Sequence, residues 1–374
     1  MLRLLVLVRK LDIGGAENQL LLFAQGAITR GHEVTVVTFY PGGTLEDEFL
    51  RASVPILSLR KKGRWDIVFP VLRFLRMLRR KKTERVYSLL TGPNLIAVFG
   101  KFSRPRLKVF WGIRSSAHDS EIRPNDFLVK ILAFASVYLS RFPERIIVNS
   151  QTAMSALVAQ GIAPRKIVKI NNGVDEKSFF FKPELGRQYK RENNISDHVF
   201  LVGMVARLDP IKNYEMFIEG VAEFATTERD SNFLIVGSGA DDYLQLLQGA
   251  VTHFGLSDRV RFCGDVEART LVGLLNALDA FVLTSRSESF SNALAEALMC
   301  GVPAIATNVG EAQAMLGEND RLISTDQPEE LVDGLRNIRA SNIDPASRAI
   351  SAKRFVRSYA ADRMIDETIC LFSD

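Results

Sequence analysis

The sequence holds only three cysteines in 374 residues, Cys263, Cys300 and Cys370, and no two of them form a CxxC pair. Such spacing excludes a disulfide framework and a cysteine zinc site, and it fits a reducing, cytoplasmic compartment. Long apolar runs are also missing. Residues 1–8 are apolar apart from Arg3, and Arg9 and Lys10 end the run too soon for a signal peptide's core and far short of the roughly 20 residues that span a bilayer. They read as a buried first strand, and the chain as soluble or peripheral. There is no HExxH, no Cys/His cluster, no Gly-x-Ser-x-Gly elbow and no P-loop, so metalloprotease, serine-hydrolase and P-loop readings lack support. Internal repeats and low-complexity tracts are absent as well.

What is present is ordinary globular composition, 47% hydrophobic and 24% charged, in a chain too long for one core. The net charge of +5 conceals an asymmetry. Residues 1–175 carry about 28 Lys and Arg against about 13 Asp and Glu, while the remainder carries about 20 against about 30. The basic half calls for an anionic partner. Short apolar runs at 2–8, 33–38, 85–89, 107–110 and 145–148, and again at 200–205, 232–236, 260–262, 280–283 and 302–306, predict strands. Helical patterns lie between them, at 16–30 and 152–160 and then at 214–225, 241–254, 268–278 and 293–300. The expectation is α/β, two doubly wound domains over 1–171 and 172–357, with an amphipathic last segment.

Ligands of such sheets sit beyond the carboxyl ends of the strands, where helix N-termini offer free N–H groups. Four stretches fall there. Gly14 and Gly15 open a helix after the first strand; they allow close approach of a phosphate or sugar, or simply make a tight turn. They do not complete a GxGxxG, which disfavours a nicotinamide enzyme. Arg207 and Lys212 lie on a loop leading into a helix, where they meet a diphosphate or remain solvated. The densest stretch runs from Glu288 through Ser289, Phe290, Ser291, Asn292 and Ala293 to Glu296. A carboxylate before a helix start and another one turn inside it can bracket a phosphate, with Ser291 or Asn292 as N-cap; the alternative is a surface acid and a favourable first-turn acid. Gly310 and Glu311 close a further strand end. His118, in a polar loop after the strand at 107–110, is the first half's candidate for sugar or acceptor contact, though a lone histidine is more often structural. Asp241 and Asp242 begin a helix, where Asp is favoured anyway.

Taken in order, these residues resemble the retaining GT-B glycosyltransferases of the large group-1 type, which include many bacterial envelope and capsule enzymes. The likeness covers nearly the whole chain: Gly14-Gly15-Ala16-Glu17, Val148-Asn149-Ser150, Asn172-Gly173-Val174-Asp175, Arg207 with Lys212, Pro303, and above all Glu288…Glu296 as a Glu-x7-Glu motif around Phe290. The resemblance implies two Rossmann-like domains facing a cleft, with a terminal helix, 358–374, crossing back onto the first. It implies that Arg207 and Lys212 neutralise the donor diphosphate, Glu296 binds ribose hydroxyls, Glu288 and His118 contact the transferred sugar, N–H groups near Asn292 and Ala293 hold phosphate, and Gly15 approaches the diphosphate. Neither metal nor cofactor is implied. Ser289 and Ser291 depart from the Gly and Pro frequent in the family. No first-domain carboxylate is placed as a nucleophile, which favours a front-face mechanism in which the leaving phosphate deprotonates the acceptor.

The expected donor is a UDP-sugar in preference to a GDP-sugar, and the expected acceptor a saccharide, free or linked to a polyprenyl diphosphate. Residues 60–85 hold Trp65, Phe69 and Phe74 between basic ends, a pattern suited to an anionic membrane surface or to an ordinary half-buried helix. No nucleic-acid motif accompanies the charge. The rival readings are a nucleotide-sugar epimerase and a non-catalytic sugar-nucleotide-binding subunit.

Overall fold

The computed structural model describes residues 1–63, 66–81, 83–114 and 134–373; His118, Arg64 and Trp65 lie outside them. The chain divides into two units, one comprising Met1–Gly173 with Ala361–Asp374 and the other Val174–Ala360.

The first unit is built on seven parallel strands: β1 (Arg3–Val8), β2 (Glu33–Thr38), β3 (Ile56–Ser58), β4 (Arg85–Leu89), β5 (Lys108–Ile113), β6 (Arg145–Val148) and β7 (Ile167–Lys169), in the order β3-β2-β1-β4-β5-β6-β7. Helices on both faces bury the central strands, which is why these read as continuous Val, Ile and Leu runs instead of alternating ones. The order reverses between β1 and β4, so a crevice opens beyond their carboxyl ends. β5 corrects the sequence reading. Trp111, Gly112 and Ile113 do not begin a loop but continue the strand, paired with Ile146, Ile147 and Val148. Gly112 makes this possible, because a Cβ there would collide with Leu89 and the Tyr87 hydroxyl.

The terminal helix Ala361–Ser373 belongs to this unit's core. Phe372 sits among Phe23, Tyr87 and Phe110, with ring centroids 6.0, 5.2 and 4.6 Å away. Arg30 donates to Asp362 and Asp366, both at 2.7 Å.

The second unit has six parallel strands, β8 (Phe200–Val205), β9 (Ser231–Val236), β10 (Val260–Gly264), β11 (Ala280–Leu283), β12 (Ala304–Thr307) and β13 (Arg321–Ile323), in the order β10-β9-β8-β11-β12-β13. The two sheets share one winding, and each unit is a Rossmann-like domain of the GT-B fold. β12 starts at Ala304, two residues later than the apolar run at 302–306 suggests, because Pro303 has no N–H to give a ladder. Phe281 and Leu283 bury one face and Val202, Met204 and Val282 the other. Among the described residues no helix is long and apolar enough to cross a membrane.

Candidate active site

In the second unit, the loops after β8, β11 and β12 meet at the carboxyl ends of neighbouring strands. After β8 the chain makes the turn Pro210–Lys212, which Asp209 caps by accepting from the Ile211 N–H at 3.1 Å. Burial alone would raise the Asp209 carboxyl, but the Ile211 N–H and the Arg207 guanidinium, 2.7 Å away, outweigh it and lower its pKa. Asn213 follows in the left-handed conformation, φ +55°, which asparagine tolerates better than most residues, and opens the helix Tyr214–Thr227.

The loop after β11 is stitched to this turn. The buried Thr284 hydroxyl lies 3.0 and 2.9 Å from the Lys212 and Asn213 carbonyls. The Arg286 N–H donates to Ile211 O at 2.8 Å, and its side chain reaches Pro210 O and Asp326. Asp326 in turn accepts from Asn213 at 2.9 Å. These bonds bring Lys212 Nζ to 2.5 Å from Glu288 Oε1, which also accepts from the Ser285 hydroxyl at 3.0 Å. Both charged side chains are largely withdrawn from water, 19% and 13% exposed. Arg207 is 71% exposed and is held by Asp209. The two cations have separate carboxylate partners, Asp209 for Arg207 and Glu288 for Lys212.

From the β12 side, Gly310 (φ +58°) presses against the backbone of 288–289; a Cβ there would collide with the Glu288 and Ser289 carbonyl oxygens. The sequence shows Gly310 as one more glycine at a strand end, and its necessity comes only from this approach.

The helix Asn292–Met299 begins beside Glu288. Ser291 is its N-cap, extended at φ −85°, ψ 106°, and its hydroxyl accepts from the Leu294 N–H at 3.3 Å. A proline at this position would lack that cap, so the departure from the family pattern has a local use. Ser289, Phe290 and Ser291 are all buried, and the Phe290 ring lies 6.0 Å from that of Tyr359. One turn in is Glu296, whose carboxyl makes no side-chain hydrogen bond or ion pair among the described residues. Burial pushes it up to about 8. A carboxyl left without a partner in such a place is costly, and hydroxyl donors of a ligand are what would complete it.

In the first unit, Gly14 is the extended N-cap of the helix Gly15–Thr29, and the preceding Ile13 N–H donates to Thr44 at 2.9 Å. Burial, with Asp12 adding to it, raises the Glu17 carboxyl against the lowering effect of a backbone N–H. Sequence reasoning missed Gln19, which is buried and clamps Gly173 through two bonds of 2.8 and 2.9 Å. A glutamine on the apolar face of a helix was its only signal. Among the described residues no group of three or more His, Cys, Asp or Glu is placed to hold a metal ion.

Known proteins align with both units. A family model described as Glycosyl transferases group 1 matches residues 199–340, and one described as Glycosyltransferase Family 4 matches residues 13–178. A subunit of human phosphatidylinositol N-acetylglucosaminyltransferase is 24% identical over 334 residues, 87% of this chain; the chain spans 65% of that relative's length. The N-acetyl-alpha-D-glucosaminyl L-malate synthase of Bacillus anthracis is 31% identical over 160 residues, 42% of this chain and 40% of the relative. Among solved structures, Anabaena HepE in complex with UDP superposes with a TM-score of 0.87 at 20% identity, covering 100% of both chains. Its UDP-glucose complex superposes at 0.83 and 21%, covering 99% of this chain and 100% of that one.

Proposed function

We propose that this chain, a glycosyltransferase of the GT-B superfamily, moves a hexose or N-acetylhexosamine from a UDP-sugar to a saccharide acceptor carried on a polyprenyl diphosphate, with retention of configuration. UDP is favoured over GDP because the structural neighbour HepE is described with UDP and UDP-glucose. The human relative's name pairs an N-acetylglucosaminyl group with a lipid acceptor, which supports a similar pairing here. Both relatives are named as transferases or synthases, and nothing favours the epimerase or the binding-subunit reading.

The observation that carries the proposal is the Lys212–Glu288 pair just before the helix Asn292–Met299, which holds Glu296 one turn in with no side-chain partner among the described residues. Lys212 and Arg207 receive the diphosphate and stabilise charge as it builds on the leaving UDP, while Glu296 takes ribose hydroxyls. Glu288 contacts the transferred sugar. As the bond from C1 to the leaving phosphate oxygen breaks, the acceptor oxygen bonds to C1 on the same face, and its proton passes to that phosphate oxygen. Cations and a helix N-terminus supply the countercharge, so no metal is required in this reading. A trapped covalent glycosyl-enzyme would rule the front-face route out.

The test is UDP or GDP release from a panel of nucleotide sugars, with and without membrane lipid extract. Release from a single UDP-sugar that needs the extract is expected. Equal release without acceptor, or none from any donor in the presence of extract, would overturn the transferase reading.

The acceptor's location bears on the helix Val68–Lys81. It buries Pro70, Phe74 and Leu78 but exposes Val68, Phe69 and Leu72 by 66, 65 and 56%. No acid occurs between residues 67 and 83, while Arg76, Arg79, Arg80 and Lys81 crowd the helix's second half. This arrangement suits the anionic cytoplasmic face of a membrane, with the enzyme held there peripherally in cell-surface polysaccharide or glycolipid synthesis. Phe69→Asp with Leu72→Asp is expected to lower binding to phosphatidylglycerol vesicles by about tenfold or more. Unchanged cosedimentation of the double variant would remove this helix from any membrane role.

A further inference from the structure

The first unit carries an arginine that none of these roles uses. Arg114 follows β5 directly, at the carboxyl end of the sheet where ligands of this fold bind. Its guanidinium donates to Asn172 Oδ1 at 2.6 Å and reaches the Tyr87 hydroxyl at 3.4 Å. Both partners are buried, Asn172 3% and Tyr87 1% exposed, so the seat is stiff. Both are also neutral.

That sets Arg114 apart from arginines that only support structure. Arg30 gives its charge to Asp362 and Asp366. Arg259 spends its donors on the Ser231, Ala225 and Glu228 carbonyls. Arg114 has no carboxylate partner among the described residues, and the sequence contains no Asp or Glu from 85 to 118. Beside Asn172 in the chain, Asn171 Oδ1 is buried with no hydrogen-bond partner among the described residues, an acceptor left over for a hydroxyl. A guanidinium fixed by neutral groups keeps its full charge and the rest of its planar fork for an incoming anion.

We propose that Arg114 is the residue by which the first unit recognises an anionic group of the acceptor, a phosphate or diphosphate, with Asn171 taking an adjoining hydroxyl. This rests on the transferase reading for its meaning but not for its test. The probe is inorganic pyrophosphate, titrated into the full chain already saturated with UDP, so that the second unit's cations are occupied. Arg114→Ala should weaken pyrophosphate binding by about tenfold while UDP affinity stays the same. Asn172→Asp should do likewise with the arginine still in place, because it sets a carboxylate where the neutral amide now lies; this second variant guards against a folding defect in the first.

Equal pyrophosphate binding by wild type and both variants, or none by wild type, overturns the assignment. A parallel loss of UDP affinity overturns it too, since Arg114 would then serve the donor. Two further probes separate the sources of the anion: vesicles containing farnesyl diphosphate for a lipid, and glucose 1-phosphate for a soluble ester. Loss of either interaction in Arg114→Ala supports the site, and loss of neither refutes it.

Discussion

Replacing Glu288 with Gln is expected to cut sugar transfer by two to three orders of magnitude while UDP binds as well as before or more tightly. The two effects have one origin. Glu288 neutralises Lys212 at 2.5 Å in a place where water screens little, so the carboxylate competes with a diphosphate for the same ammonium. An amide of the same shape keeps the Ser285 hydroxyl bond but releases Lys212 to the nucleotide. In the proposed reaction what is lost is a charge beside the reacting sugar, and removing one such preorganised group typically costs about 10²- to 10³-fold in kcat. Kinetics of acceptor-dependent UDP release give kcat, and calorimetry gives the UDP Kd. A variant with kcat within threefold of wild type would remove Glu288 from the transfer step. One with intact kcat and weakened UDP would make it a nucleotide ligand instead.

Glu296 leads to a pH dependence of definite sign. Its carboxyl is raised from 4.5 to about 8, so the folded protein holds a proton there at neutral pH that the unfolded chain has released. Stability is unaffected below about pH 4.5, falls as pH rises toward 8, and levels off above it. At pH 7 the penalty is on the order of 3 kcal/mol if the unfolded value is ordinary, since each tenfold change in acid strength is worth about 1.4 kcal/mol. Glu296→Gln should therefore melt higher than wild type at pH 8 and no differently at pH 4.5. It should also bind UDP about ten- to a hundredfold more weakly, the loss expected when a charged hydrogen-bond acceptor for a ribose becomes neutral. UDP binding to the wild type at pH 7 should release protons, which calorimetry in buffers of different ionisation enthalpy detects. If the variant melts lower at pH 8, or if the UDP binding enthalpy does not vary with buffer, the carboxyl is not held neutral for the nucleotide.

Much of this architecture is written in local sequence. Continuous apolar runs such as Phe200–Val205 and Ala280–Leu283 are short enough to favour strands covered on both faces, and their spacing leaves room for crossover helices between them. The three-residue edge strands Ile56–Ser58, Ile167–Lys169 and Arg321–Ile323 are not legible, because pairing with a neighbour, and not their own composition, makes them strands. In the site, Glu288, Lys212 and Glu296 stand out as charged residues just past strand ends. Their mutual arrangement does not. That Lys212 finds Glu288 depends on the Thr284 hydroxyl and the Arg286 backbone binding a turn more than 70 residues earlier, and hydroxyls in a Thr284-Ser285 pair carry no such message by themselves. The Ser291 cap is the intermediate case: its residue type and position suggest a helix start, and the structure supplies the bond.

The first unit closes its core with Phe372, contributed by a helix on the far side of the second unit's sequence. A chain leaving the ribosome therefore has all of 174–360 available to fold before the ring that fills the space among Phe23, Tyr87 and Phe110 has been made. Domains generally fold as units, earliest segment first. Here the earlier segment has to wait, its central aromatic residues uncovered for the time it takes to translate some 200 further residues at about 5–20 per second. Of the two units, the one translated first is completed second, and its dependence on chaperones should exceed that of the one inserted within it.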